Sequence, residues 1–88
     1  MTKLLNYLLD NSDRIPNGMI VDCLKLARFN PKPSQRLPPA FLAQQLGTTS
    51  TAEVSRRLGR LYRRGLLDYE KGVPNRPGYT IFRVGPKP

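Results

Sequence analysis

Histidine is missing from this chain, cysteine occurs once, and only six residues are acidic. These shortages remove whole classes of function. Without histidine, and with a lone thiol, the usual zinc sites and thiol relays have no ligands. One cysteine also excludes an internal disulfide, and Cys23 lies in an apolar-periodic segment, where it reads as a small buried hydrophobe. The acids are scattered, no Ser/His/Asp or Cys/His set exists, and no glycine-rich phosphate loop follows a strand. An enzyme is therefore not expected. No segment approaches the apolar length that spans a bilayer, and the N-terminus lacks a basic region followed by an apolar signal core. The expected setting is reducing, cytoplasmic and nucleoid-associated. With 88 residues and 39% hydrophobic content, the chain can build one domain with one small core. A catalytic or signal-sensing cavity beside that core is not expected, nor is a cofactor, a metal or a small-molecule ligand.

Positive charge is what the chain has in excess. The formal net charge is +9, and it is unevenly placed. Residues 1–22 hold two basic and three acidic side chains, whereas residues 23–67 hold nine basic side chains and Glu53 alone as an acid. Residues 68–88 hold four basic and two acidic side chains. Concentrated cations favour phosphate polyanions, through Coulomb attraction and release of condensed counterions. A merely solubilising surface is the bland alternative, but solubilising charge is usually mixed in sign.

Leu4, Leu5, Leu8 and Leu9, at spacings of three and four, predict a short amphipathic helix at the head of segment 1–12. Two helical turns are marginal alone, so this helix must dock. It is apolar enough to pair with a second chain and equally suited to its own core, and a homodimer through it is slightly favoured. Asn17 is a plausible N-cap for a core helix at 18–29, with Ile20, Leu24 and Ala27 along one face and Val21, Cys23 and Leu26 nearby. Asn30-Pro31 ends it, residues 30–36 form a basic, proline-containing loop, and Leu37 enters the core as a short extended segment. Pro38-Pro39 opens a helix at 39–46, with Phe41, Leu42, Leu46 and Ala43 inward, and Gly47 closes it.

Thr48 to Thr51 is a turn, and Ser50-Thr51-Ala52-Glu53 fits a capping box in which the Ser hydroxyl and Glu carboxylate each satisfy a backbone N–H. A long helix follows at 51–64 and stops at Gly65. Segment 66–84 reads as two strands, Leu66 to Lys71 and Tyr79 to Val84, joined by the loop 72–78 and followed by the tail 85–88. Tyr69, Tyr79 and Phe82 are expected in the core rather than as base-stacking platforms.

On a wheel of about 100° per residue, Val54, Leu58, Leu61 and Tyr62 share one arc of the long helix. Roughly opposite lie Ala52, Arg56, Gly59, Arg60 and Arg63, with Ser55 and Glu53 at the edges. Small residues let a backbone sit deep in a groove, and arginine supplies phosphate clamps and bidentate guanine contacts. Gly59 costs around 1 kcal/mol in a helix interior, which close approach of a partner or plain packing would explain. No acid at helical spacing is expected to neutralise the arginines.

Leu42-Ala43, Leu46-Gly47, Val54-Ser55-Arg56, Leu58, Leu61 and Gly65-Leu66-Leu67, followed by a two-stranded ribbon, resemble the winged helix-turn-helix superfamily. The wording is similar to that of small transcriptional regulators of the multiple-antibiotic-resistance (MarR-like) group, over about residues 19–84. The turn is one residue longer than the commonest version. The resemblance implies an α+β fold of three core helices, a C-terminal two-stranded wing and a short extra N-terminal helix. It also implies that helix 51–64 enters the major groove of double-stranded DNA. Thr51, Ala52, Ser55 and Arg56 would reach base edges, and Arg60 and Arg63 phosphates. Thr48, Thr49 and Ser50 would bind a phosphate at the helix start, and Lys71 and Arg76 on the wing would take the adjacent minor groove or backbone. Such regulators are usually dimers reading successive grooves. Two other readings stay open: a protein-binding winged-helix module, and binding to RNA or a replication origin.

Overall fold

The computed structural model describes residues 2–29 and 35–87. Residues 30–34, most of the expected basic loop, lie outside the described residues, as do Met1 and Pro88. In chain order the elements are α1 (Thr2–Asp10), α2 (Asn17–Arg28), β1 (Arg36–Leu37), α3 (Pro39–Leu46), α4 (Thr51–Arg63), β2 (Leu67–Lys71) and β3 (Tyr79–Val84). Among the described residues the chain is α+β, with four helices and one small antiparallel sheet. Among the described residues no helix is long and apolar enough to cross a membrane.

The sheet has three strands, in the order β1-β3-β2, where two were expected. The extended segment at Leu37 joins it: Arg36 stands opposite Thr80 and Leu37 opposite Tyr79. Two residues are too short a run for strand periodicity to reveal. Once Pro38 holds Leu37 extended and its side chain is buried, the backbone groups take partners on the free edge of β3. Between β2 and β3 the register shifts after Asp68, which faces Arg83, while Tyr69 faces Ile81. Phe82 is the extra residue of this bulge. The shift lets both Ile81 and Val84 reach the core and turns Phe82 outward, correcting its expected core position.

Leucine spacing seats α1 on its own chain. Leu4 and Leu8 are buried in the same cluster as α2, α3 and α4, so α1 is part of the core rather than an addition to it, while Leu5 and Leu9 point to solvent. On α2 the buried face is Met19, Asp22, Cys23 and Leu26, one residue round from the expected Ile20, Leu24 and Ala27, which lie at its margin. That rotation carries Asp22 inward. Burial pushes the Cys23 thiol up to about 11, so it is protonated and inert at neutral pH. Asn17 is the first helical residue rather than the cap. Pro16 occupies the cap position without a side-chain bond, and its carbonyl accepts from the N–H of Met19 at 2.9 Å.

Helix ends around the turn follow local chemistry. Gly47 takes a left-handed φ of 74°, and Thr48 N–H then donates to the Ala43 carbonyl at 2.9 Å. Gly65, also at φ 74°, ends the turn after α4, and Leu66 N–H returns to the Leu61 carbonyl at 2.9 Å. The chain can thus reverse straight into β2, which packs against α4.

Leu58 is fully buried at the centre of α4, whereas Leu5 is 41% exposed. Leu58→Ala should cost about 2–5 kcal/mol of folding free energy. Leu5→Ala should change it by less than about 0.5 kcal/mol. Urea unfolding of both variants checks the pair, and equal losses would contradict this packing.

Candidate nucleic-acid interface

Val54, Leu58 and Leu61 are buried and set the roll of α4 about its axis. Tyr62, expected with them, is 53% exposed and packs edge-on to Tyr69, ring centroids 5.8 Å apart. It lies at the edge of the apolar arc, and β2 offers it an aromatic neighbour there. Gly59 also turns toward the sheet rather than outward. A Cβ on Gly59 would lie 3.9 Å from the Tyr69 hydroxyl and 3.5 Å from Arg63 Nη1. Both are ordinary contact distances, so the fold leaves room for an alanine at Gly59 and does not itself require the glycine. Burial raises the Tyr69 phenol, with the neighbouring Tyr79 adding to the effect.

The five arginines of α4 and its end divide into two groups. Arg56, Arg60 and Arg63 are exposed, Arg63 with its guanidinium beside Gly59. Arg57 is part-buried and braces the turn. Its Nη1 donates to the Leu46 carbonyl at 2.8 Å and lies 3.4 Å from Asp22 Oδ1, while Nε donates to Glu53 Oε1 at 3.2 Å. Arg64 Nη1 donates to the Arg14 carbonyl at 2.6 Å, tying the end of α4 to the loop after α1. Among the described residues, Arg60 and Arg63 make no side-chain hydrogen bond or ion pair.

The arginines do have an opposite-sign partner at helical spacing, which corrects the expectation. Glu53 accepts from Arg56 three residues on and from Arg57 four residues on. The capping box is accordingly only half formed. Ser50 Oγ accepts from Glu53 N–H at 3.3 Å, but Ser50 N–H donates to Thr48 Oγ1 at 3.2 Å instead of to the glutamate. A guanidinium makes the stronger, charge-assisted bond and takes the carboxylate. The Arg57 bond first, and the Arg56 bond after it, hold the Glu53 carboxyl below the usual range. Asp22 moves the other way: burial raises it, against the pull of Arg57, Lys25 and Arg60.

The predicted site residues lie on two stretches of chain. Thr49, Ser50, Thr51 and Ala52 are exposed at the turn and the start of α4, and Thr48 is half-buried by its bond to the turn. Ser55 is half-buried on the flank nearer the sheet. Lys71 and Arg76 are exposed on the hairpin, whose loop is closed by Gly72 N–H to the Gly78 carbonyl at 2.8 Å and Arg76 N–H to the Val73 carbonyl at 2.9 Å. Sequence reasoning missed Lys25. An open groove of about 430 Å³ runs between α2 and α4 and brings Lys25 beside Gly47, Arg57 and Arg60. Lys25 is remote from α4 in the chain, and only helix packing places it there. No family model, curated protein or solved structure matches the chain.

Removing Arg57 leaves Asp22 buried and the Leu46 carbonyl without its donor. Arg57→Ala should cost about 1–3 kcal/mol at neutral pH. Both carboxylates make the loss pH-dependent in one direction. Asp22, whose folded pKa is raised, is costly only when ionised, and Glu53, whose folded pKa is lowered, stabilises the fold only when ionised. The deficit should therefore shrink as pH falls through the carboxylate range. Urea titrations of both proteins at neutral and acid pH check this, and a deficit that grows on acidification would contradict it.

Proposed function

We propose that the chain is a double-stranded DNA-binding protein of the winged helix-turn-helix kind, acting as a transcriptional regulator. In this reading α4 is the recognition helix and lies in the major groove, with Thr51, Ala52, Ser55 and Arg56 toward base edges. Arg60 and Arg63 take phosphates, and the turn at Thr48, Thr49 and Ser50 lies against the backbone. The 72–78 loop, with Lys71 and Arg76, rests on the adjacent minor groove or backbone. The observation that carries the reading is the outward face of α4. It presents three exposed guanidiniums beyond a start built of small residues, while its apolar arc is buried. Lys25 adds a cation on the flank of the same face. A helix seated this firmly docks without reordering its backbone, so little of the Coulomb gain is lost to entropy.

A second copy of the chain is the partner favoured by α1, where Leu5 and Leu9, 41% and 62% exposed, stand one turn apart. A dimer through this helix would set two α4 helices into successive major grooves, about 34 Å apart. The same exposed side chains also support the alternative of a protein-binding module. Binding to RNA or to a replication origin uses the same cations and is separated by the ligand chosen in the test.

Arg56→Ala should weaken a selected duplex by about 1–3 kcal/mol and change the preferred bases, because its contacts are to base edges. Arg76→Ala should weaken all duplexes alike and reduce the salt slope by about one. Fluorescence-anisotropy titrations of duplex DNA and structured RNA at several salt concentrations read both effects. Parent-like binding by both variants would overturn the assignment.

A further inference from the structure

We infer that Glu53 selects the base beside the guanine taken by Arg56, by accepting a hydrogen bond from the exocyclic amino group of a cytosine; this rests on the duplex-binding role proposed above. Glu53 stands in the first turn of α4, on the side from which Arg56 extends. The Arg56 side chain is 65% exposed and the Glu53 side chain 20% exposed, and the two touch. The carboxylate does not move freely. Its Oε1 is held by Arg57 Nε at 3.2 Å, and Arg57 is itself anchored 2.8 Å from the Leu46 carbonyl. A chain of bonds thus runs from the end of α3 to a carboxylate fixed at the start of α4, with Oε2 turned toward the exposed arginine.

A surface that bound phosphates alone would be better without this acid, since a fixed negative charge repels every duplex. The helix dipole favours an acid in the first turn, but that accounts equally for a glutamate at an inward-leaning position with no cation beside it. Beyond the dipole and the Arg57 bond that braces the turn, the carboxylate makes a second ion pair, to Arg56, the arginine assigned to base edges in the role proposed above. An ionised carboxylate only accepts hydrogen bonds. In the major groove it is matched by the amino groups of cytosine and adenine, and it is repelled by the carbonyl oxygens of guanine and thymine. Arg56 has the reverse preference, for guanine O6 and N7. Together they form a two-part reader, Arg56 on a guanine and Glu53 on the cytosine of the neighbouring base pair. The carboxylate also lowers affinity for unmatched sequences, where no amino group offsets its repulsion of phosphates.

Selection from random duplex pools, with the intact chain, Glu53→Gln and Glu53→Ala, tests this. Glutamine keeps an acceptor for Arg57 and prefers adenine, so Glu53→Gln should move the preference at one position from cytosine to adenine while keeping the adjacent guanine. Glu53→Ala should reduce discrimination at that position by about tenfold or more. Both variants should bind scrambled duplex more tightly than the intact chain, the reverse of what simple loss of structure does. Unchanged base preference in both variants, or parallel loss of matched and scrambled binding, overturns the inference alone. Failure of the intact chain to bind duplex DNA overturns the DNA-binding role, and the inference with it.

Discussion

One guanidinium joins the three helices on which the basic face depends. Arg57 extends from α4 to the carbonyl that ends α3 and to the buried carboxylate of α2, and it holds Glu53 on its own helix. Apolar packing of Val54, Leu58 and Leu61 fixes how α4 rolls, but grease is poorly directional. The guanidinium fork adds the angle between α3 and α4, because its donors accept only a narrow set of positions. It also explains why Asp22 is tolerated on the buried face of α2. Once the turn between α3 and α4 is braced, Arg60 and Arg63 are left without a side-chain partner among the described residues and stand exposed.

That division of labour changes how the net charge of +9 is read. A count of arginines overstates the docking surface, since Arg57 and Arg64 are engaged in holding the fold and Arg83 is engaged with Asp68 at 3.0 Å and with backbone carbonyls at the sheet end. A count along the helix also understates it, since Lys25 arrives from α2. The proposed DNA-binding face is therefore smaller in sequence and broader in space than the arginine run alone. The three-stranded sheet serves the same end. Leu37 pins β3 from its outer edge, so the hairpin that carries Lys71 and Arg76 projects from a supported strand rather than from a two-stranded ribbon.

Most of the helices were legible because their signals are local. Leucine spacing, Pro39 at a helix start, and Gly47 and Gly65 at helix ends each act within one turn of chain. Misreadings arose where the deciding partner was distant. On the buried face of α2, Asp22 meets its partner Arg57 from thirty-five residues away. Tyr62 and Gly59 take their environment from Tyr69 on β2. The pairing of β1 depends on the edge of β3, and the bulge at Phe82 on the register with β2. Glu53 was misassigned for a subtler reason: its sequence context fits a capping box, but two nearby guanidiniums outcompete a backbone N–H. Of the candidate site residues, Arg56, Arg60, Arg63, Lys71 and Arg76 do lie exposed, whereas Ser55 leans to the flank and Thr48 is partly used by the turn.

The claim at the centre of this account is that the outward face of α4 and the hairpin loop bind one duplex together. Backbone amide shifts followed by NMR during titration with double-stranded DNA test it most directly. The account expects the perturbed amides to cluster at residues 48–63 and 71–78, with those beside Leu5 and Leu9 unmoved by the DNA itself. Perturbations confined to α1 and the surface around Phe82, with α4 silent, would contradict it.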